Sequence, residues 1–108
     1  MQNQTVEEGK TTAIISYITF IGTLIAFLIN KSKRNSFASF HIRQMIGLAI
    51  FGFINQYVIA KILGGTTGIV IAIFLFVLWV IGFISAIKGE EKSTPILGDL
   101  FQEWFKGI

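Results

Sequence analysis

His41 is the one residue of this chain whose ordinary chemistry reaches proton transfer near neutral pH. It stands in Phe37-Ala38-Ser39-Phe40-His41-Ile42-Arg43-Gln44, ahead of a long apolar stretch. To act as an acid–base group or a metal ligand it needs company: a second histidine, a cysteine or a carboxylate within reach. The chain has no cysteine, no other histidine and no carboxylate between Glu8 and Glu90. A hydrogen-bonded histidine at a membrane boundary is therefore expected, not a pH switch or a metal site. His41, Gln44, Leu48, Phe51 and Asn55 are spaced 3, 4, 3 and 4, so they share one helix face. An amide at the depth of Asn55 must find partners, because an unmet polar group in hydrocarbon is costly. Two readings of this face stay open: a polar lining for a pathway or recognition groove, or a set of amides and hydroxyls that satisfy one another and fix the packing. The second is favoured. The sequence holds no phosphate loop, nucleophile elbow, zinc-protease helix or dinucleotide fingerprint. No catalytic residue, cofactor or metal is expected, and the chain is not expected to be an enzyme.

The elements that must position these residues are apolar. Of 108 residues, 53% are hydrophobic and only 14% charged, too little polar surface for a soluble domain of this size. The expected fold is all-α and membrane-integral, with three transmembrane helices and an amphipathic interfacial helix at the C-terminus, all in one domain. Residues 1–10 are polar and acidic, unlike a cleavable signal. Residues 11–29 carry no charge and are long enough to cross a bilayer as a first helix. Residues 37–63 read as an interfacial lead-in followed by the second crossing, with Ser36 as the N-cap. Gly64 and Gly65 allow a sharp reversal, and residues 66–88 form the third crossing. Residues 11–29 and 66–88 show no polar face of useful width, which argues against a soluble bundle. Small and hydroxyl residues form seams at a period of 3.5: Thr12, Ser16, Thr19, Thr23, Ala26 and Asn30 in the first run, and Gly68, Ala72, Gly82 and Ala86 in the third.

The tail is amphipathic. In residues 95–107, Leu100, Phe101, Trp104 and Phe105 fall on one side and Asp99, Gln102, Glu103 and Lys106 on the other. Thr94 and Pro95 read as its N-cap and first helical residue. Trp104, Phe101 and Phe105 are expected to anchor it in the membrane interface, with packing on the protein itself or on a partner as the alternative. Three crossings place Lys31, Lys33, Arg34, Arg43, Lys88, Lys92 and Lys106 on one side, and Lys10 and Lys61 on the other. That excess puts the first loop and C-terminus in the cytoplasm of a bacterial cell and the N-terminus outside. The basic loop could also meet anionic headgroups, although such charge is the usual cytoplasmic flank. The partners implied are the lipid bilayer and other membrane proteins or copies of the chain. The net charge of +3 is not spread over a face as nucleic-acid binding requires.

The F-x-x-F-H-x-x-Q pattern of Phe37, Phe40, His41 and Gln44 resembles one that opens the second helix of a group of small bacterial membrane proteins. Those proteins are similar to the twenty-kilodalton (Tic-twenty-like) subunit of the chloroplast inner-envelope import translocon. Ala86-Ile87-Lys88-Gly89-Glu90, with Pro95 following, resembles the closing motif of the same group. The similarity covers about residues 11–100. It implies an all-helical membrane protein with a role in protein import or membrane-protein handling, in which His41 and Gln44 make polar contacts within helix two. The plastid relatives have four spanning helices against the three expected here, so a shared pore mechanism does not carry over. Three functions are weighed: a translocon-like accessory component, a holin-like oligomeric pore, and a purely structural membrane scaffold.

Overall fold

The computed structural model describes residues 4–92 and 97–108, which are helical apart from short connections. The helices are α1 (Gln4–Ile18), α2 (Phe20–Lys33), α3 (Ser36–Ile54), α4 (Ala60–Leu63), α5 (Gly65–Lys88) and α6 (Gly98–Trp104). A π-helical turn, Asn55–Ile59, joins α3 to α4 without a bend in the chain's course. The molecule measures 46 × 25 × 23 Å.

The first apolar run is not one helix. Thr19 adopts an extended backbone (φ −152°, ψ 175°), and its Oγ accepts a hydrogen bond from the Gly22 N–H as the N-cap of α2. At this point the chain doubles back. A Cβ on Gly22 would collide with the Ile15 carbonyl oxygen, so glycine lets α2 start against the end of α1. The far ends then meet, where Asn35 Nδ2 donates to the Thr5 carbonyl at 2.8 Å. Each arm is roughly 21–23 Å long, short of a hydrocarbon core of about 30 Å. The expected first transmembrane helix is thus a helical hairpin, and its seam faces inward on both arms: Thr12, Ser16, Thr23, Ala26 and Asn30 are buried, while Thr19 at the turn is exposed.

Two helices are long and apolar enough to cross a membrane, Ser36–Leu63 and Gly65–Lys88. They are antiparallel, joined through Gly64, whose φ of 99° suits glycine alone. Gly68 permits close approach at this turn, since a Cβ there would lie 2.7 Å from the Ala60 Cβ. The N-cap of α3 is Asn35 rather than Ser36: its Oδ1 accepts from the Ala38 N–H at 2.9 Å. The core lies at the end of the molecule where α1, α3, α5 and α6 converge, around Tyr17, Phe37, Leu48, Leu78 and Phe101. Outward faces carry bare apolar side chains, among them Ile62, Ile69, Val70 and Phe76. Water would not tolerate so continuous a surface, but acyl chains solvate it.

Candidate functional site

The site forms where α1, α3 and α5 meet. Helix α3 presents Phe37, His41 and Gln44 on successive turns, and all three are fully buried. Helix α1 brings Tyr17 from 24 positions away. Helix α5 ends at Gly89, which takes the left-handed conformation (φ 76°, ψ 26°). The Gly89 N–H bonds the Ala86 carbonyl and the Glu90 N–H bonds the Ser85 carbonyl, a Schellman closure. This turn aims the Glu90 carbonyl inward.

One hydrogen-bond chain runs through these groups. Gln44 Nε2 donates to Tyr17 Oη at 3.0 Å. Tyr17 Oη lies 2.6 Å from His41 Nδ1, and His41 Nε2 lies 2.8 Å from the Glu90 carbonyl oxygen. A carbonyl only accepts, so Nε2 carries the ring proton. Nδ1 is then the acceptor and the Tyr17 hydroxyl donates to it. Ser85 Oγ donates to the same Glu90 carbonyl at 3.1 Å, and Trp79 Nε1 donates to the Tyr17 carbonyl at 2.9 Å. The imidazole has used both nitrogens. Phe37, Phe40 and Tyr17 surround it edge-on, with ring centroids at 4.8, 5.1 and 5.4 Å. Gly82 leaves room for the phenol, since a Cβ there would lie 2.8 Å from Tyr17 Oη. His41 and Gln44 have no accessible surface, and their hydrogen bonds tie three helices together.

The comparisons with known proteins bear on these same residues. A profile of the magnetosome magnetite crystal formation protein family, MamF/MmsF, matches residues 8–101, which include every residue of the network. The chain belongs to the MamF/MmsF family. It is also 27% identical over 97 residues to a UPF0132 membrane protein of Methanocaldococcus jannaschii, covering 86% of this chain and 67% of that protein. No solved structure matches. These relationships overturn the resemblance to the plastid import translocon: neither the family nor the archaeal protein is described as an import component. The motif residues that carried it, Phe37, Phe40, His41 and Gln44, are here the parts of an internal fastening, a task that helix packing alone can demand.

Asn55, placed on the same face by spacing, is not part of that cluster in this MamF/MmsF-family chain. It lies fourteen positions along the helix from His41, a distance of roughly 21 Å. It sits at the start of the π-helical turn, where Nδ2 donates to the Gly68 carbonyl at 2.9 Å. Its buried Oδ1 has no hydrogen-bond partner among the described residues.

The tail departs most from expectation. Thr94, Pro95 and Ile96 lie outside the described residues, and the described helix is Gly98–Trp104. Phe101 is fully buried, seated on Gly47 and edge-on to Phe51 at 5.3 Å, and Phe105 packs against the same core. Gln102 Nε2 donates to the Phe40 carbonyl at 2.8 Å, while Arg43 donates to Gln102 Oε1 and to the Lys106 carbonyl. The tail is docked on α3. Of the three expected membrane anchors, Phe101 is a core residue, Phe105 is half-buried against the core, and Trp104 is exposed. The reason is Gly47, whose missing side chain makes a socket for an aromatic ring.

Spacing could not have found Tyr17 and Glu90 as partners of His41, or Trp79 and Ser85 as partners of their carbonyls. One faint signal exists: Tyr17 puts a lone phenol amid apolar residues, and such a hydroxyl must bond somewhere.

Proposed function

We propose that the chain is a non-catalytic membrane scaffold, held in the bilayer by the α3–α5 pair and braced by the α1–α2 hairpin dipping in from one side. The observation that carries this reading is the closed Tyr17–His41–Gln44 network, whose polar atoms are spent inside the chain while its apolar faces point outward. Such a protein acts through its surfaces, on lipid, on membrane proteins or on further copies of itself. Within a family described by magnetite crystal formation, this chain would organise membrane components and leave the metal to others. Among the described residues no three His, Cys, Asp or Glu side chains are grouped to hold an ion. A holin-like pore is disfavoured, because the side chains that could line one, His41, Gln44 and Asn55, are buried within the protomer.

The hairpin changes the topology. Two crossings put the N-terminus, the loop at residues 34–35 and the C-terminal segment at one end. That end carries Lys10, Lys31, Lys33, Arg34, Arg43, Lys88, Lys92 and Lys106, against Lys61 at the other. The positive-inside rule then assigns this whole end to the cytoplasm.

Because the chain has no cysteine, single-cysteine variants test the arrangement cleanly. A membrane-impermeant maleimide should label Gln4→Cys and Lys33→Cys from the same side and Thr66→Cys from the opposite side. Labelling of Gln4→Cys and Lys33→Cys from opposite sides would restore a crossing by residues 11–29 and overturn the hairpin. The scaffold role has its own readout: His41→Ala should lower the yield of folded protein, whereas a fully stable but inactive His41→Ala protein would argue for a chemical role.

A further inference from the structure

Two cavities open on one groove between α2, α3 and the C-terminal segment. The first, about 360 Å³, lies at the end carrying the loop at residues 34–35. Lys31, Arg34, Arg43 and Lys106 line it, together with Asn30 and Ser39, and no Asp or Glu does. Arg43 is held in the wall by Gln102 and the Lys106 carbonyl, yet its buried Nε–H has no hydrogen-bond partner among the described residues. Lys106 also reaches Glu103 at 3.3 Å, but both side chains are largely exposed and such a pair holds weakly. Four cations around one recess repel one another; the Ile108 main-chain oxygen, which accepts from Ser39 Oγ at 3.2 Å, also faces the recess, and a further anion among the cations would relieve their repulsion.

The second cavity, about 230 Å³, shares Phe27 and Ile108 with the first and continues between the same two helices past Leu24, Ala49 and Ile50. It exposes no polar surface. Leu24 lies roughly 10 Å along α2 from Lys31, toward the middle of the membrane. A cationic recess at headgroup depth, leading into an apolar slot along the helices, matches a molecule with an anionic head and a hydrocarbon tail.

We propose that this groove is a binding site for one anionic phospholipid, its phosphate among Lys31, Arg34, Arg43 and Lys106 and an acyl chain lying in the slot between α2 and α3. The inference rests on the membrane placement proposed above. Charge complementarity selects an anionic over a zwitterionic lipid, and continuity of the slot selects a lipid over a free anion. The bound lipid would fill the seam between the hairpin and the spanning pair.

Native mass spectrometry of protein released from nanodiscs of equal phosphatidylglycerol and phosphatidylcholine tests this. The wild-type chain should retain one phosphatidylglycerol in clear preference to phosphatidylcholine. Lys31→Gln/Arg34→Gln alters two exposed residues and should cut that preference about 10- to 30-fold. Lys33→Gln, a neighbouring cation outside the recess, should leave it unchanged. Ala49→Phe fills the slot without touching the charge and should also reduce retention. Equal retention of the two lipids by the wild type, or an unaltered preference in Lys31→Gln/Arg34→Gln, overturns the site while leaving the membrane placement intact. Failure to incorporate into nanodiscs at all would instead defeat the membrane placement. Displacement of the retained lipid by millimolar inorganic phosphate would show an anion recess without a lipid slot and would refute the proposal.

Discussion

Tyr17→Phe removes a single oxygen from the centre of the network. The ring stays: it packs edge-on to His41 at 5.4 Å and against Phe83 at 5.9 Å, and a phenylalanine would keep both contacts. What goes is the donor to His41 Nδ1 at 2.6 Å and the acceptor of Gln44 Nε2 at 3.0 Å. His41 cannot turn over to recover, because Nε2 is tied to the Glu90 carbonyl. A buried acceptor left unmet costs about 1–3 kcal/mol. The lost bond from Gln44 adds about 0.6–1.7 kcal/mol, the range for interhelical hydrogen bonds in membranes. The sum is a loss of about 2–5 kcal/mol. Reversible unfolding in mixed micelles, followed by fluorescence of Trp79, reads it directly, since the Trp79 indole is bonded to the Tyr17 backbone. Tyr57→Phe, at an exposed phenol, serves as the control and should change nothing measurable. A Tyr17→Phe protein within about 0.5 kcal/mol of wild type, the scatter of unremarkable surface changes, would refute the claim that this network fastens the helices.

Three other substitutions probe the remaining contacts. Gly47→Leu places a side chain where the Phe101 ring sits, so the tail should lift from α3 and residues beyond 97 should become susceptible to limited proteolysis, while α3 and α5 stay inserted. Gly89→Ala forces a Cβ into a left-handed position and misdirects the Glu90 carbonyl; it should cost about 1–2 kcal/mol in the same unfolding assay. Asn55→Leu loses the bond to the Gly68 carbonyl but also removes a buried oxygen with no hydrogen-bond partner among the described residues, so its effect should stay within about 1 kcal/mol of zero.

The sequence makes the apolar pair legible because hydropathy is a local quantity: residues 37–63 and 66–88 lie inside the two helices long and apolar enough to cross. It cannot show who satisfies His41. Tyr17 comes from another helix, and the Glu90 carbonyl is a backbone atom whose direction depends on one glycine. The tail misleads for a related reason. An amphipathic helix offers the same pattern to a membrane and to a protein groove, and the socket at Gly47 that decides between them lies more than fifty residues upstream.

The break at Thr19 is the hardest feature to read and the most consequential. Composition marks residues 11–29 as a crossing, yet a chain that stops a helix at membrane depth must satisfy the backbone groups it frees. Here several of them have partners at the turn. The Gly22 N–H bonds Thr19 Oγ and the Thr23 N–H bonds the Thr19 carbonyl, which caps the start of α2. Thr23 Oγ donates to the Ser16 carbonyl at 2.7 Å, and the Trp79 indole donates to the Tyr17 carbonyl, which caps the end of α1. Two threonines and a glycine within five residues thus supply a turn that hydrocarbon can tolerate, and a tryptophan from α5 completes it. Hydropathy scores threonine and glycine as nearly neutral, so these residues pass for helix filler in a one-dimensional reading. Their hydrogen-bonding capacity turns the first apolar run back on itself, and through that reversal Tyr17 arrives beside His41 with its hydroxyl directed at the imidazole.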